Sequence, residues 1–255
     1  MNENISRFRG EERKYDVGVV IGVPSRGKIH IRWMMHLHKM PTYLPPAIQW
    51  SYAYTVNKEI ADARNRIVEE ALKRNAKYIM WIDDDVFPPY DVIAKLMKHQ
   101  KDIITGVYWT KCENEAPVLF KHTGEGPWYD FPRNQLVKVE SAGMGCTLVR
   151  TSVFEKMAKP YFKSNWIRTL PDGTTSRVAV GEDLYFFDKA KENGFEIYCD
   201  TSMLCDHYDI DRDIFYPTEK TRNEFYESRS TPEELEKIKK SEEFQDRYKP
   251  LSPEK

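Results

Sequence analysis

The hydrophobic pattern opens with Val17-Gly18-Val19-Val20-Ile21-Gly22-Val23, a continuous apolar run rich in β-branched residues. A run of this kind suits a strand covered on both faces, as in a parallel sheet. It breaks at Pro24-Ser25-Arg26-Gly27, a turn by composition. Ile29 to Pro46 is rich in Trp, Met, His and Pro and lacks a simple helical period. Ala47 to Val56 alternates as a strand does, and Lys58 to Asn75 sets Ile60, Ala63, Ile67, Ala71 and Leu72 on one helical face. Tyr78-Ile79-Met80-Trp81-Ile82 predicts the next buried strand and runs straight into Asp83-Asp84-Asp85. Pro88 and Pro89 predict a helix start, with Val92, Ile93, Leu96 and Met97 turned inward. Asp102 to Trp109 predicts a further strand.

Strand and helix alternate to this point, which predicts an α/β fold with right-handed crossovers on a mostly parallel sheet. The rhythm then changes. Ala116 to Val139 is broken by Gly124, Gly126, Pro127 and Pro132 and reads as short strands and loop. Val137 to Arg150 predicts a strand around Gly143-Met144-Gly145, and Thr151 to Ala158 a short helix. Gly181-Glu182-Asp183 opens a helix that Gly194 ends, and Glu196 to Cys199 is a short strand. Beyond Thr218 the chain is charged and helical, and Thr231-Pro232-Glu233-Glu234 has the makings of an N-cap. The expected organisation is a polar extension over 1–14, one α/β domain over 15–215 and a charged helical tail over 216–255.

Composition narrows the function classes. With 40% hydrophobic and 31% charged residues, the chain reads as globular. A net charge of −1 gives no strong field for nucleic acid. No run approaches the roughly 18 apolar residues of a membrane span, and Met1 to Tyr15 has no apolar signal core. A cytoplasmic location is therefore expected. The cysteines at 112, 146, 199 and 205 fit neither a zinc knuckle nor a disulfide ladder.

Three consecutive carboxylates repel one another unless a cation balances them. If the strand continues, Asp83 and Asp85 point the same way and converge on one ion, while Asp84 faces a ribose or a backbone amide. Hard oxygen ligands suit Mg²⁺ or Mn²⁺. The alternative is a solvated acidic turn, with Asp85 capping the following helix. Asp183 has the same two readings, as a reactive carboxylate or as a cap. Arg64 is flanked at helical spacing by Ile60, Ala61, Ile67 and Val68, so no carboxylate pairs with it along the helix. It therefore needs a partner from elsewhere.

Four features, in order, carry a resemblance to the nucleotide-sugar glycosyltransferases of the GT-A fold, especially the large family-two group. They are the strand ending at Pro24-Ser25, the helix with Ala63-Arg64-Asn65, the DXD-like strand Tyr78 to Val86, and Gly181-Glu182-Asp183-Leu184. The last is followed by Gly194-Phe195-Glu196-Ile197-Tyr198 and by His207. The resemblance covers residues 15–210 and implies a Rossmann-like, mixed but mostly parallel sheet flanked by helices. It implies that Asp83, Asp85 and His207 bind Mn²⁺ or Mg²⁺. Asp183 would be the base, with Glu182 supporting it. Pro24, Ser25, Arg26, Arg64, Asp83 and Asp84 would hold a UDP- or GDP-linked sugar, and Gly143, Met144 and Gly145 would lie beneath an acceptor. Two departures stand out: the irregular stretch from Ile29 to Pro46, and the lack of a Trp motif after the Glu-Asp helix.

The expected activity is metal-dependent transfer of a sugar from a nucleotide-diphosphate donor to a hydroxyl acceptor. Inversion rests on Glu182-Asp183 alone, because retaining GT-A enzymes share the DXD and the late histidine. The rivals are a nucleotidyltransferase, though Pro24-Ser25-Arg26-Gly27-Lys28 lacks the phosphate-loop spacing, and a binding protein without turnover.

Overall fold

A computed structural model describes residues 14–170, 172–176, 180–227 and 233. In chain order, β1 (Val17–Ser25) leads to α1 (Ile31–Lys39), a 3₁₀ turn (Met40–Tyr43), β2 (Trp50–Val56), α2 (Ile60–Lys73), β3 (Ala76–Ile82) and β4 (Val86–Phe87). Then follow α3 (Val92–Lys98), β5 (Ile103–Val107), β6 (Leu119–Phe120), β7 (Leu136–Val139), β8 (Ser141–Ala142), β9 (Cys146–Arg150) and α4 (Thr151–Lys156). The chain closes with α5 (Glu182–Glu192), β10 (Ile197–Leu204), β11 (Asp206–Asp209), β12 (Ile214–Tyr216) and α6 (Glu219–Glu227).

The main sheet runs β2-β1-β3-β9-β5-β10-β7. β1 is parallel to β2 and β3, and β10 is parallel to β5. β9 lies antiparallel between β3 and β5, and β7 pairs antiparallel with β10. The sheet is thus mixed and mostly parallel, as the sequence predicts. The C-terminal ends of β1, β3, β5 and β10 share one edge, and β9, running the other way, starts there. In an open α/β sheet this is the ligand edge.

The core has two layers. Ile67, Val68 and Ala71 of α2 pack with Phe154 of α4, Phe186 of α5 and Trp81 on one side of the sheet. Trp33 and Leu37 of α1 pack with Leu96 of α3, Ile21 and Met80 on the other. The α1 helix falls where the pattern shows no simple period. It is held by tertiary bonds, since Trp33 Nε1 donates to Val86 O at 2.9 Å, and His36 Nε2 lies 2.6 Å from Pro88 O. α3 begins at Val92, later than Pro88-Pro89 suggests. α6 docks through Arg222, which pairs with the buried Asp206. The expected N-cap at Thr231-Pro232-Glu233-Glu234 falls, apart from Glu233, outside the described residues.

Candidate active site

The acidic triplet is a turn, because β3 stops at Ile82. Asp83 N donates to Gly145 O at 3.2 Å, and Val86 N donates to Asp83 O at 3.1 Å. This corrects the expectation of a continuing strand. Asp83 and Asp85 do not share one partner but turn to different ones. Nor does Asp85 cap a helix, since the N-cap of α3 is Asp91.

Asp83 faces Arg64. The guanidinium, 2% exposed, donates from Nη2 to Asp83 Oδ1 and Oδ2 at 3.0 and 3.1 Å and from Nε to Glu182 Oε1 at 3.1 Å. Its plane also lies near the Trp81 ring, at 5.6 Å from the centroid. This is the partner that the Arg64 neighbourhood on α2 lacks, and it joins α2, the triplet and the start of α5. Burial opposes its charge, but Asp83 and Glu182 outweigh that and keep it protonated. Burial also pushes the Asp83 carboxyl up, and the pull of Arg64 does not fully reverse it. One guanidinium nitrogen, Nη1, is buried with no hydrogen-bond partner.

Asp84 turns toward the end of β1. Burial raises its carboxyl, while the Ser25 hydroxyl and the Arg26 backbone N–H draw it down less strongly. Its Oδ2 is buried without a donor. An acceptor left in this state favours a ligand that brings a hydroxyl or N–H. Pro24, next to last in the same strand, precedes the turn there.

Asp85 faces the other way, toward His207 and Lys111. His207 Nδ1 lies 2.8 Å from Trp109 O; a carbonyl only accepts, so Nδ1 carries the hydrogen. His207 Nε2 then stands 3.3 Å from Asp85 Oδ1. Two acceptor atoms at that spacing need a proton or a cation between them. The spacing also suits adjacent positions on one ion with ligand distances of ~2.1 Å. The pair fits a divalent cation, and the imidazole favours Mn²⁺ over Mg²⁺. The chain supplies two ligands there. Among the described residues no cluster of three His, Cys, Asp or Glu is arranged to hold an ion. Lys111 Nζ holds the other Asp85 oxygen and lies 3.5 Å from Tyr208 O. Burial raises the Asp85 carboxyl, but His207 and Lys111 prevail and bring it down to about 2.

Asp183 sits in the first turn of α5, whose N-cap is Gly181. Its Oδ1 accepts from Leu184 N at 2.8 Å, within its own turn, so it is not the cap. Burial, then Glu182, lifts its carboxyl to about 6, with Asp83 adding to the push. Tyr108, at the end of β5, is buried nearby. Burial, then Asp83 and Asp183, hold its hydroxyl well above the usual tyrosine range. The hydroxyl accepts from Gly145 N at 3.3 Å.

Gly143 and Gly145 make these approaches possible. A Cβ on Gly143 would collide with the Tyr108 ring and hydroxyl, and one on Gly145 would lie 2.9 Å from Asp83 Oδ2. Met144 between them is fully buried in the core. Tyr108 and Lys111 escape sequence reading; their one signal is that they follow a buried strand at the edge where the triplet lies.

Residues 54–131, from within β2 to beyond β6, match the model of the Anp1 family, a GT-A-like mannosyltransferase family. A197 from STIV superposes with a TM-score of 0.54 at 19% identity, over 76% of this chain and 86% of that one. That likeness is one of fold alone. A looser superposition, TM-score 0.48 at 8% identity, is with GalNAc-T7 solved with UDP, GalNAc and Mn²⁺; it takes in 77% of this chain and 44% of that one. No curated protein matches the chain. One edge of the main sheet gathers Ser25, Arg26, Arg64, Asp83, Asp84, Asp85, Tyr108, Lys111, Glu182, Asp183 and His207.

Proposed function

We propose that the chain is a glycosyltransferase that moves a sugar from a nucleotide-diphosphate donor to a hydroxyl acceptor, with a divalent cation and with inversion. The Anp1 match, which contains the triplet, supports the transferase class. The observation that carries the finer reading is the division of the triplet. One carboxylate has an oxygen without a donor beside the β1 turn, one faces a histidine at ligand spacing, and one is locked by Arg64 to the start of the Asp183 helix.

In this reading Asp84 takes a ribose hydroxyl beside Ser25 and Arg26. The buried Nη1 of Arg64 donates to a donor phosphate or sugar oxygen. Asp85 and His207 hold the cation, which when bound neutralises charge on the departing diphosphate. Lys111 adds a second positive charge there. Asp183, lifted to about 6, is ionised near neutral pH yet still basic enough to take the acceptor's proton. Glu182 holds Arg64 in place beside it. The acceptor approaches above Gly143 and Gly145, whose missing side chains let Tyr108 and Asp83 line that floor.

The test is a transfer and hydrolysis assay on UDP- and GDP-sugars, with and without Mn²⁺. The expected result is Mn²⁺-dependent turnover, reduced roughly 10²–10⁴-fold by Asp183→Asn and by Asp85→Ala. Donor binding without turnover would make the protein a binding module, and release of pyrophosphate would make it a nucleotidyltransferase. Retention of anomeric configuration would remove the base role from Asp183.

A further inference from the structure

α1 is apolar on two sides. Trp33, Leu37 and Met40 at its end turn into the core. Ile31, Met34 and Met35 stand on the opposite side, with Ile31 67% and Met35 63% exposed. A helix lying on a core normally shows polar residues outward. β2, the edge strand, adds Trp50, Tyr54 and Val56, with Tyr54 72% exposed. They belong to the side of the sheet that α1 covers. Tyr52, two residues from Trp50 and Tyr54, packs with the α1-side core and donates to Leu37 O at 3.4 Å, whereas Ala53 belongs to the opposite layer. The remaining exposed large apolar side chains, such as Tyr129 and Ile167, are scattered along the chain.

The stretch of chain that builds this surface carries charge of one sign. From Val17 to Lys58 the chain carries Arg26, Lys28, Arg32, Lys39 and Lys58 and no Asp or Glu, although the whole molecule has a net charge of −1. The Arg26–Lys28 turn reaches β2, because a Cβ on Gly27 would lie 3.2 Å from the Val56 side chain. At the far edge Asp213 comes within 3.5 Å of Arg32, in an exposed pair. Lys39 lies over the Tyr90 ring at 4.2 Å.

We propose that this surface seats the molecule on an anionic lipid bilayer. Ile31, Met34, Met35 and the β2 aromatics would enter the headgroup boundary, and the lysines and arginines around them would meet lipid phosphates. A nucleic acid fits less well, because aliphatic Ile and Met side chains offer neither phosphate contacts nor stacking. The attachment is peripheral: among the described residues no helix is long and apolar enough to cross a membrane. α1 is bonded to the turn after the triplet through Trp33 and Val86, and the His30 ring packs on Tyr208, so the bilayer would lie beside the candidate active site. The proposal does not depend on the reaction assigned to that site.

Flotation with vesicles tests it, using phosphatidylcholine alone and phosphatidylcholine with about a third phosphatidylglycerol. The full chain is expected to float at least about tenfold more with the anionic vesicles and to be released by high salt. The double variant Ile31→Glu/Met35→Glu should float about tenfold less, with an unchanged melting temperature. Both side chains are mostly exposed, so the charges should leave folding intact; Arg32→Gln/Lys39→Gln gives a second, milder arm. Equal flotation by wild type and the double variant, or none by wild type, overturns the proposal. So does a dimer in gel filtration that the double variant abolishes, or binding to oligonucleotides in preference to vesicles.

Discussion

In the base role proposed for it, Asp183 would pair reactivity with a stability cost. Its carboxyl rises from 3.8 to about 6 on folding, so the native state holds the proton more tightly than the unfolded chain. Stability contributed by this group is therefore full below about pH 4 and falls as pH rises through about 6. A shift of this size corresponds to something on the order of 3 kcal/mol at most. Asp183→Asn should raise the melting temperature at pH 7.5, leave it nearly unchanged near pH 4, and cut transfer roughly 10²–10⁴-fold. Transfer by wild type should fall below about pH 6. Thermal melts and rate profiles across pH check both; a variant no more stable at pH 7.5 would show that Asp183 is not strained. Lys111 leads to a separate expectation. Its ammonium holds the Asp85 oxygen that a cation would otherwise draw on. Lys111→Met should bind Mn²⁺ about tenfold more tightly in the absence of nucleotide, because a competing positive charge is gone. Paramagnetic resonance titration of free Mn²⁺ reads this directly, and unchanged affinity would place Lys111 outside the cation's reach.

Among elements, β9 and its approach matter most. The strand starts at the ligand edge, so the backbone just before it, rather than a side chain, forms the floor under Asp83 and Tyr108. Gly143→Ala should cost about 2 kcal/mol by overpacking against Tyr108. In a Tyr108→Phe background, where the closest atom is missing, the cost should shrink, giving a coupling of at least about 0.5 kcal/mol in a double-mutant cycle. Additive effects in chemical denaturation would mean that the two do not touch. Here the limits of sequence reading also become visible. β1, β3, α2 and α5 are legible because their patterns are set by burial on known faces, and Arg64 shows itself by lacking a local partner. α1 is not legible, because it is only nine residues long and sits in a Trp-, Met-, His- and Pro-rich stretch whose apolar residues face both the core and the outside. The turn at 83–86 is hidden as well, because a run of aspartates says nothing about where the strand ends.

For the molecule as a whole, alternation of strand and helix is enough to indicate the α/β class and a mostly parallel sheet. The antiparallel placement of β9 between β3 and β5 is not, because a short apolar run gives no sign of its direction. Site residues that end parallel strands, such as Asp83 to Asp85, can be found by rule. Tyr108, Lys111 and the contact between Arg64 and Glu182, residues 118 apart, depend on the full topology.

The chain between β5 and β9 has a consequence for engineering. It leaves β5 after Val107, adds β7 at the edge of the sheet beside β10 and rejoins the neighbour of β5 at Cys146, where Thr105 pairs with Thr147. Val118 N donates to Tyr108 O at 2.8 Å and Gly143 N to Val118 O at 3.0 Å, so both ends are clamped to each other. Residues 119–141 thus form a cassette with adjoining ends. Leu119 and Phe131 anchor it in the core and β7 on the sheet, so only its exposed tip, Gly124–Gly126, can be exchanged for a loop of different length while Ser25, Arg64, the aspartates, Glu182 and Asp183 keep their supports. New contacts can be grafted there without disturbing the residues proposed to grip the donor.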